Sequence, residues 1–241
     1  MFWRQKFVLS TLAIANRSQR VTDGDLKSIV NALALQLQRD VAPLLRVLVP
    51  SLDFVGSGAI PAGTPSLVVF DTADQADALG YHDVGPDGLP YGKAFAGPVL
   101  DNGGTVKSGA DSVSVTLSHE LLEMLADPSA NLWADAGDGS AYAYELCDPV
   151  EGDAYAVRGV SVSSFVLGAW FDPQAPRTAK FDFLDKLPGP FTMTPGGYVL
   201  KRTEAGEVQA VWGDKVPEWK RREKARARSR FASRFRHSRK S

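Results

Sequence analysis

The sequence predicts an α/β (α+β) domain built on a mixed sheet, and three observations carry that prediction. Strand-like apolar runs, Phe7 to Ala15 and Ser66 to Asp71, alternate with two segments of helical periodicity, about 23 to 40 and 111 to 126. The 241 residues are 44% hydrophobic, enough to bury one large core. A single cysteine, Cys147, and this ordinary apolar fraction exclude collagen-like, wholly disordered and disulfide-stapled chains. No apolar run approaches the roughly 20 residues that a membrane span needs.

The N-terminal run has two readings. Met1 to Lys6, followed by apolar residues and an Ala13-x-Ala15 ending, loosely imitates a secretory leader. Ser10 and Thr11 interrupt the apolar stretch, and its strand formers favour a first β-strand. Thr22-Asp-Gly-Asp25 then opens a helix, because a Thr side chain and an acid three residues later satisfy free N–H groups. Leu26, Ile29, Val30, Leu33 and Leu37 give that helix an apolar face. Pro43 and Pro50 bracket a variable stretch, Ser66 to Asp71 forms a buried strand, and Thr72 to Leu79 can make a short helix.

Between Gly80 and Gly104 glycines and prolines multiply, which predicts loops and one edge strand, Lys93 to Leu100. Asp111 to Ala126 is the strongest helix, ended by Asp127-Pro128 because the residue before proline is pushed out of the helical region. Asn131 to Gly159 is acidic and turn-rich. Strand-like runs follow at Val160 to Trp170 and Tyr198 to Trp212, the latter broken by a Glu204-Ala-Gly206 turn.

The formal net charge of −1 hides two opposite parts. From Lys215 to the end there are 12 basic and 2 acidic residues, so the other 214 residues hold 15 basic and 26 acidic ones. Residues 1–214 are expected to be the folded domain, and 215–241 a basic Arg-rich tail, disordered or ordered on a partner. Its arginines, interleaved with Trp219, Phe231 and Phe235, suit phosphates and stacked bases, or an acidic protein surface.

His119-Glu120-Leu-Leu-Glu123 lies in the middle of the strongest helix. Residues four apart share a helix face, so His119 and Glu123 can converge on one metal ion. Glu120, rotated about a quarter-turn from them, is the candidate general base. The surrounding leucines and valines bury this helix, and buried ionisable groups need partners; a metal ion is the simplest one.

Downstream, Glu145, Asp148 and Glu151 repeat a carboxylate every third residue. Glu145 is the first choice for a third metal ligand and Asp148 the second, with Glu151 a candidate to support His119 from behind. Zinc (Zn2+) suits this donor set, although another divalent metal, calcium included, or a plain solvated acidic loop is the competing reading. Tyr142, Tyr144 and Tyr155 are candidate helpers for a developing oxyanion. His82, in Gly80-Tyr-His-Asp83, reads more readily as a surface histidine than as a ligand, and Cys147 as a buried, inert thiol.

Ser118-His-Glu-Leu-Leu-Glu-Met-Leu-Ala-Asp-Pro128, the Asn131/Trp133 segment and Glu145-x-x-Asp148-x-x-Glu151 together resemble zincin-type metallopeptidases. The likeness is greatest to phage and bacterial proteins of that type, and more distant to the plant EXORDIUM-like group. It covers Val113 to Phe171, a quarter of the chain. The usual zincin pattern has His where this chain has Glu123, and Ala126 and Ser129 stand where the metzincin extension has Gly and His.

The resemblance implies a zincin-like fold, with a twisted mixed sheet, a backing helix and an active-site helix beneath an edge strand. It also implies a zinc-dependent peptidase acting on a peptide or protein substrate held along that edge. The alternative it leaves is a catalytically weak or inactive zincin-like virion protein whose tail binds nucleic acid or an acidic partner. A cytoplasmic or virion-associated location is expected, secretion through residues 1–15 less so.

Overall fold

Thr11–Asn16 forms β1, an inner strand of a five-stranded sheet. The computed structural model describes residues 9–75 and 78–215. Residues 1–8, which include the Met1 to Lys6 start of the expected leader and the first two residues of the expected Phe7 to Ala15 strand, therefore lie outside the described residues, as do 216–241, which hold nearly all of the predicted basic tail.

Thr22 caps α1 (Asp23–Gln36) as its sequence predicts, accepting from the Asp25 N–H while its hydroxyl donates to the Asp25 carboxylate. Leu26, Ile29, Val30 and Leu33 are buried against β1 and the strands around it. The last predicted helical residues form one wide π turn, Leu37–Val41, and helical backbone continues past the predicted end near 40 as a short α2, Ala42–Leu45, which carries Pro43 in its first turn. Just beyond the stretch bracketed by Pro43 and Pro50 comes β2 (Ser51–Gly56), a strand the sequence reading does not assign, parallel to β1, and β3 (Ser66–Phe70) joins β1 on its other side, also parallel.

The Gly/Pro-rich stretch departs from prediction. It forms β4 (Gly80–Val84) and β5 (Pro90–Phe95), followed by α3 (Ala96–Asp101) rather than by more strand. The strand order is β2-β1-β3-β5-β4, so β5 is interior and antiparallel β4 is the edge. Lys93 is thus not on an edge strand, and residues 72–75 form bends instead of the expected helix. Strand alternation sends Gly80 and His82 to one face of β4 and Tyr81 to the other, where it packs with Tyr91 and Phe95 beneath the Lys93 ammonium.

α4 (Val113–Ala126) starts at Ser112, whose side chain accepts from the Val115 N–H, and almost every residue of it is buried. It packs on β3, β4 and β5. The acidic stretch predicted as turns contains β6 (Trp133–Asp135), β7 (Ala141–Ala143) and β8 (Ala154–Val157). An Arg158-Gly159 turn, both residues at positive φ, joins β8 to β9 (Val160–Ser163), the tight connection whose twist matches a hairpin. β10 (Tyr198–Arg202) and β11 (Val208–Trp212) form the expected hairpin and pair with β7 and β6 in a four-stranded antiparallel sheet. The class is mixed α+β. Among the described residues no helix is long and apolar enough to cross a membrane.

Candidate metal centre

α1 and α4 are joined by a buried polar chain immediately before His119. The Ser118 hydroxyl donates to Gln36 Oε1 (2.8 Å) and accepts from the Ser163 N–H (3.0 Å). Gln36 Nε2 donates to the Ser163 carbonyl (2.9 Å) and to the Tyr155 hydroxyl, which donates onward to Asp40. Gln36, Ser118 and Ser163 are fully buried, so each bond is made where water cannot replace it. This chain fixes the rotation of α4 about its own axis, and with it the direction in which the motif residues point.

His119, Glu120 and Glu123 are all buried. His119 Nε2 lies 3.0 Å from Glu123 Oε1, the same-face relation that four-residue spacing predicts, and 3.2 Å from Asp148 Oδ1. Asp148 arrives on a 3-10 turn, Asp148–Val150. That turn is held from outside: the Thr194 N–H donates to the Pro149 carbonyl, and Gly197 passes so close that a Cβ there would sit 2.1 Å from the same oxygen. Of the two candidates for third ligand, Asp148 is therefore the one beside His119. Glu145 is buried too, and its charge is felt at the opposite side of the cluster, by His82.

His82 corrects the sequence reading, since it is not a surface residue. Its side chain is 3% exposed and points from β4 at the motif helix, with Nδ1 3.7 Å from Glu120 Oε2 and 3.6 Å from Glu123 Oε2. Its Nε2 faces the Asp127 carbonyl at 3.2 Å. Two glycines make the approach possible. A Cβ on Gly80 would meet Glu120 Oε1 at 2.6 Å, and Gly92, opposite His82 in the ladder, leaves room for the Met124 sulfur. The available signal was the Gly-x-His alternation itself, which puts both residues on one strand face, but only once the segment is known to be a strand.

Burial works against charge on both imidazoles, yet the surrounding carboxylates outweigh it. His82 is raised to about 9, chiefly by Glu120, with Glu145 and Glu123 adding. His119 is pushed well above its ordinary value by Glu123 and Asp148. Cys147, also fully buried, is pushed up by burial and by the Glu123 charge, against a Ser163 hydrogen bond that lowers it. The thiol is buried as the sequence suggests, but it sits among groups that could hold a metal: candidate ligand atoms of His119, Glu123 and Cys147 all lie within 4.8 Å of one another, as do those of His82, Glu120 and Glu123.

Among the tyrosines, Tyr155 is committed to Asp40 and Gln36, and Tyr142 is packed between Phe191 and Trp170. Tyr144 stacks on Phe171, and its hydroxyl is pushed up by burial and by the charge of Asp127 just past the end of α4. Glu151 is buried one turn beyond Asp148.

The donors fit a divalent cation. Two ligands bound about 2.1 Å from one tetrahedral zinc stand about 3.4 Å apart, and the imidazole–carboxylate separations of 3.0 to 3.7 Å bracket that value. Imidazole and carboxylate suit zinc by softness, and a thiolate would strengthen the preference. Comparison with known protein families, with curated proteins and with solved structures finds no match.

Proposed function

We propose that this chain is a metal-dependent hydrolase, a zinc peptidase whose metal is held by His119, Glu123 and Asp148, with Glu145 or Cys147 available to complete the set. The observation that carries the reading is the His119 imidazole, buried and within 3.2 Å of two carboxylates from separate elements. Carboxylates this deep are costly without a compensating cation. A zinc ion bound there would lower the pKa of a water and polarise a carbonyl.

Glu120 follows His119 on α4 and its carboxylate borders the same cluster, so it is the group to take a proton from water and return it to the leaving amine. Gly80 and the buried polar chain behind Ser118 hold Glu120 and His119 in register with each other. A peptide as substrate is supported by the edge strand β4 running beside Glu120, where an extended chain can lie parallel to the sheet. A zincin-like arrangement is supported in the same way: the mixed sheet, α1 behind it and α4 beside its edge strand repeat the plan that the motif implies.

Zinc-loaded protein is expected to cleave a quenched-fluorescent peptide pool. Glu120→Gln should lower that rate by at least about 100-fold while His119 still binds metal. Unchanged cleavage by Glu120→Gln would remove the reading.

A further inference from the structure

The cluster holds more negative charge than one divalent cation offsets. Glu120, Glu123, Glu145 and Asp148 are all buried, and among the described residues the imidazoles of His82 and His119 face them. His82 is the second imidazole, and its geometry is that of a ligand. With Nε2–H directed at the Asp127 carbonyl, Nδ1 turns toward Glu120 and Glu123. A metal-binding histidine characteristically donates its other N–H to a carbonyl in this way. Nδ1 is buried and makes no hydrogen bond: 3.6 and 3.7 Å are too long for one, but close to the separation of two ligands on one cation.

We propose that a second divalent cation binds between His82 Nδ1, Glu120 and Glu123 Oε2, and that Glu123 bridges the two metals. Its Oε1 serves the His119 side and its Oε2 the His82 side. Four carboxylates and two divalent cations then balance with both imidazoles neutral, which is the form that binds metal. The cation class is the borderline one, zinc or manganese, because the donors are one imidazole and two carboxylates. Paired metals bridged in this manner stand about 3.5–4 Å apart in hydrolases that clamp both oxygens of a displacement. In the doubly loaded protein Glu120 is a ligand, and where Cys147 completes the His119 side, Glu145, whose charge already reaches His82, is left to take the proton. The proposal rests on the reading of the His119 side as a metal site, and the test separates the two.

The full chain is stripped with chelator, equilibrated with excess zinc, desalted and analysed by elemental mass spectrometry. Two zinc ions per chain are expected, falling to one in His82→Ala and to one in His119→Ala. One zinc in the wild type, or an unchanged count in His82→Ala, overturns the proposal. If His119→Ala keeps both ions while His82→Ala loses one, the second site stands and the His119 reading fails. Cobalt titration of the unmodified chain gives a count that needs no variant: the visible bands should grow to two equivalents, and saturation at one contradicts the bridge.

Discussion

The Glu123 carboxylate meets His82 across the strand–helix boundary, Oε2 standing 3.6 Å from Nδ1, while its other oxygen faces His119 on its own helix at 3.0 Å. One acidic side chain thus joins an imidazole fixed by local helical spacing to an imidazole delivered by the sheet edge. Glu123 is the hinge of the cluster's chemistry, and its replacement is the most informative single change. Glu123→Gln keeps the shape and removes the charge. Zinc affinity should fall by at least about tenfold, the lower end of what mutating even an outer partner costs. Competition against a chromogenic chelator measures it, and an unaltered affinity would place the metal elsewhere.

Gly80→Ala probes the contact between β4 and the motif helix. The added Cβ would lie 2.6 Å from Glu120 Oε1 and 2.8 Å from the Thr116 methyl, so the strand or the carboxylate must move. Such overpacking costs about 1–3 kcal/mol. Thermal unfolding should show this loss, accompanied by weaker peptide cleavage; Gly63→Ala, on a turn with open space around it but at φ 74, should lose stability without touching cleavage.

Gln36→Ala tests the polar chain behind Ser118. The change strands the Ser118 hydroxyl and the Ser163 carbonyl in a dry interior and should cost about 1–3 kcal/mol. Because those bonds set the rotation of α4, metal affinity should fall together with stability. Chemical denaturation and metal competition on the same variant check both halves.

The pH dependence of the metal-free protein has a defined sign. His82 is easier to protonate in the fold than in the unfolded chain, raised from 6.5 to about 9, so its proton stabilises the fold. The contribution is complete below pH 6.5 and fades as pH rises through about 9; His119 acts in the same direction. Chelator-treated protein should therefore melt at lower temperature as pH is raised across that window. Metal-loaded protein should not, because metal competes with those protons and gains affinity as they leave. Melting curves at pH 6 and pH 9, with and without chelator, measure the contrast.

Much of the architecture was legible because it is written in local periodicity. α1 with its Thr22 cap, β3, α4 and the β10–β11 hairpin all follow from spacing and turn residues within a few positions of one another. The strands β4 and β5, five and six residues long, are harder to read, since Gly80, Gly92 and Pro90 are poor strand formers taken singly. Their glycines are there to admit Glu120 and Met124, a tertiary reason with no local signature. β2 has no clear local signal, because proline punctuation on both sides hides a short half-buried run. The helical part of the candidate site was readable from His119 to Glu123. Asp148 is readable only as one of several carboxylates, and nothing local to His82 shows its burial, which depends on pairing between strands and on a helix thirty-odd residues later.

The central claim is that a divalent cation sits against His119 and Glu123. Crystals of the full chain, grown without chelator and measured at the absorption edge identified by X-ray fluorescence, test it most directly. An anomalous peak is expected within about 2.3 Å of both His119 Nε2 and Glu123 Oε1. Density with no such peak, and His119 Nε2 hydrogen-bonded straight to Asp148 instead, would contradict it.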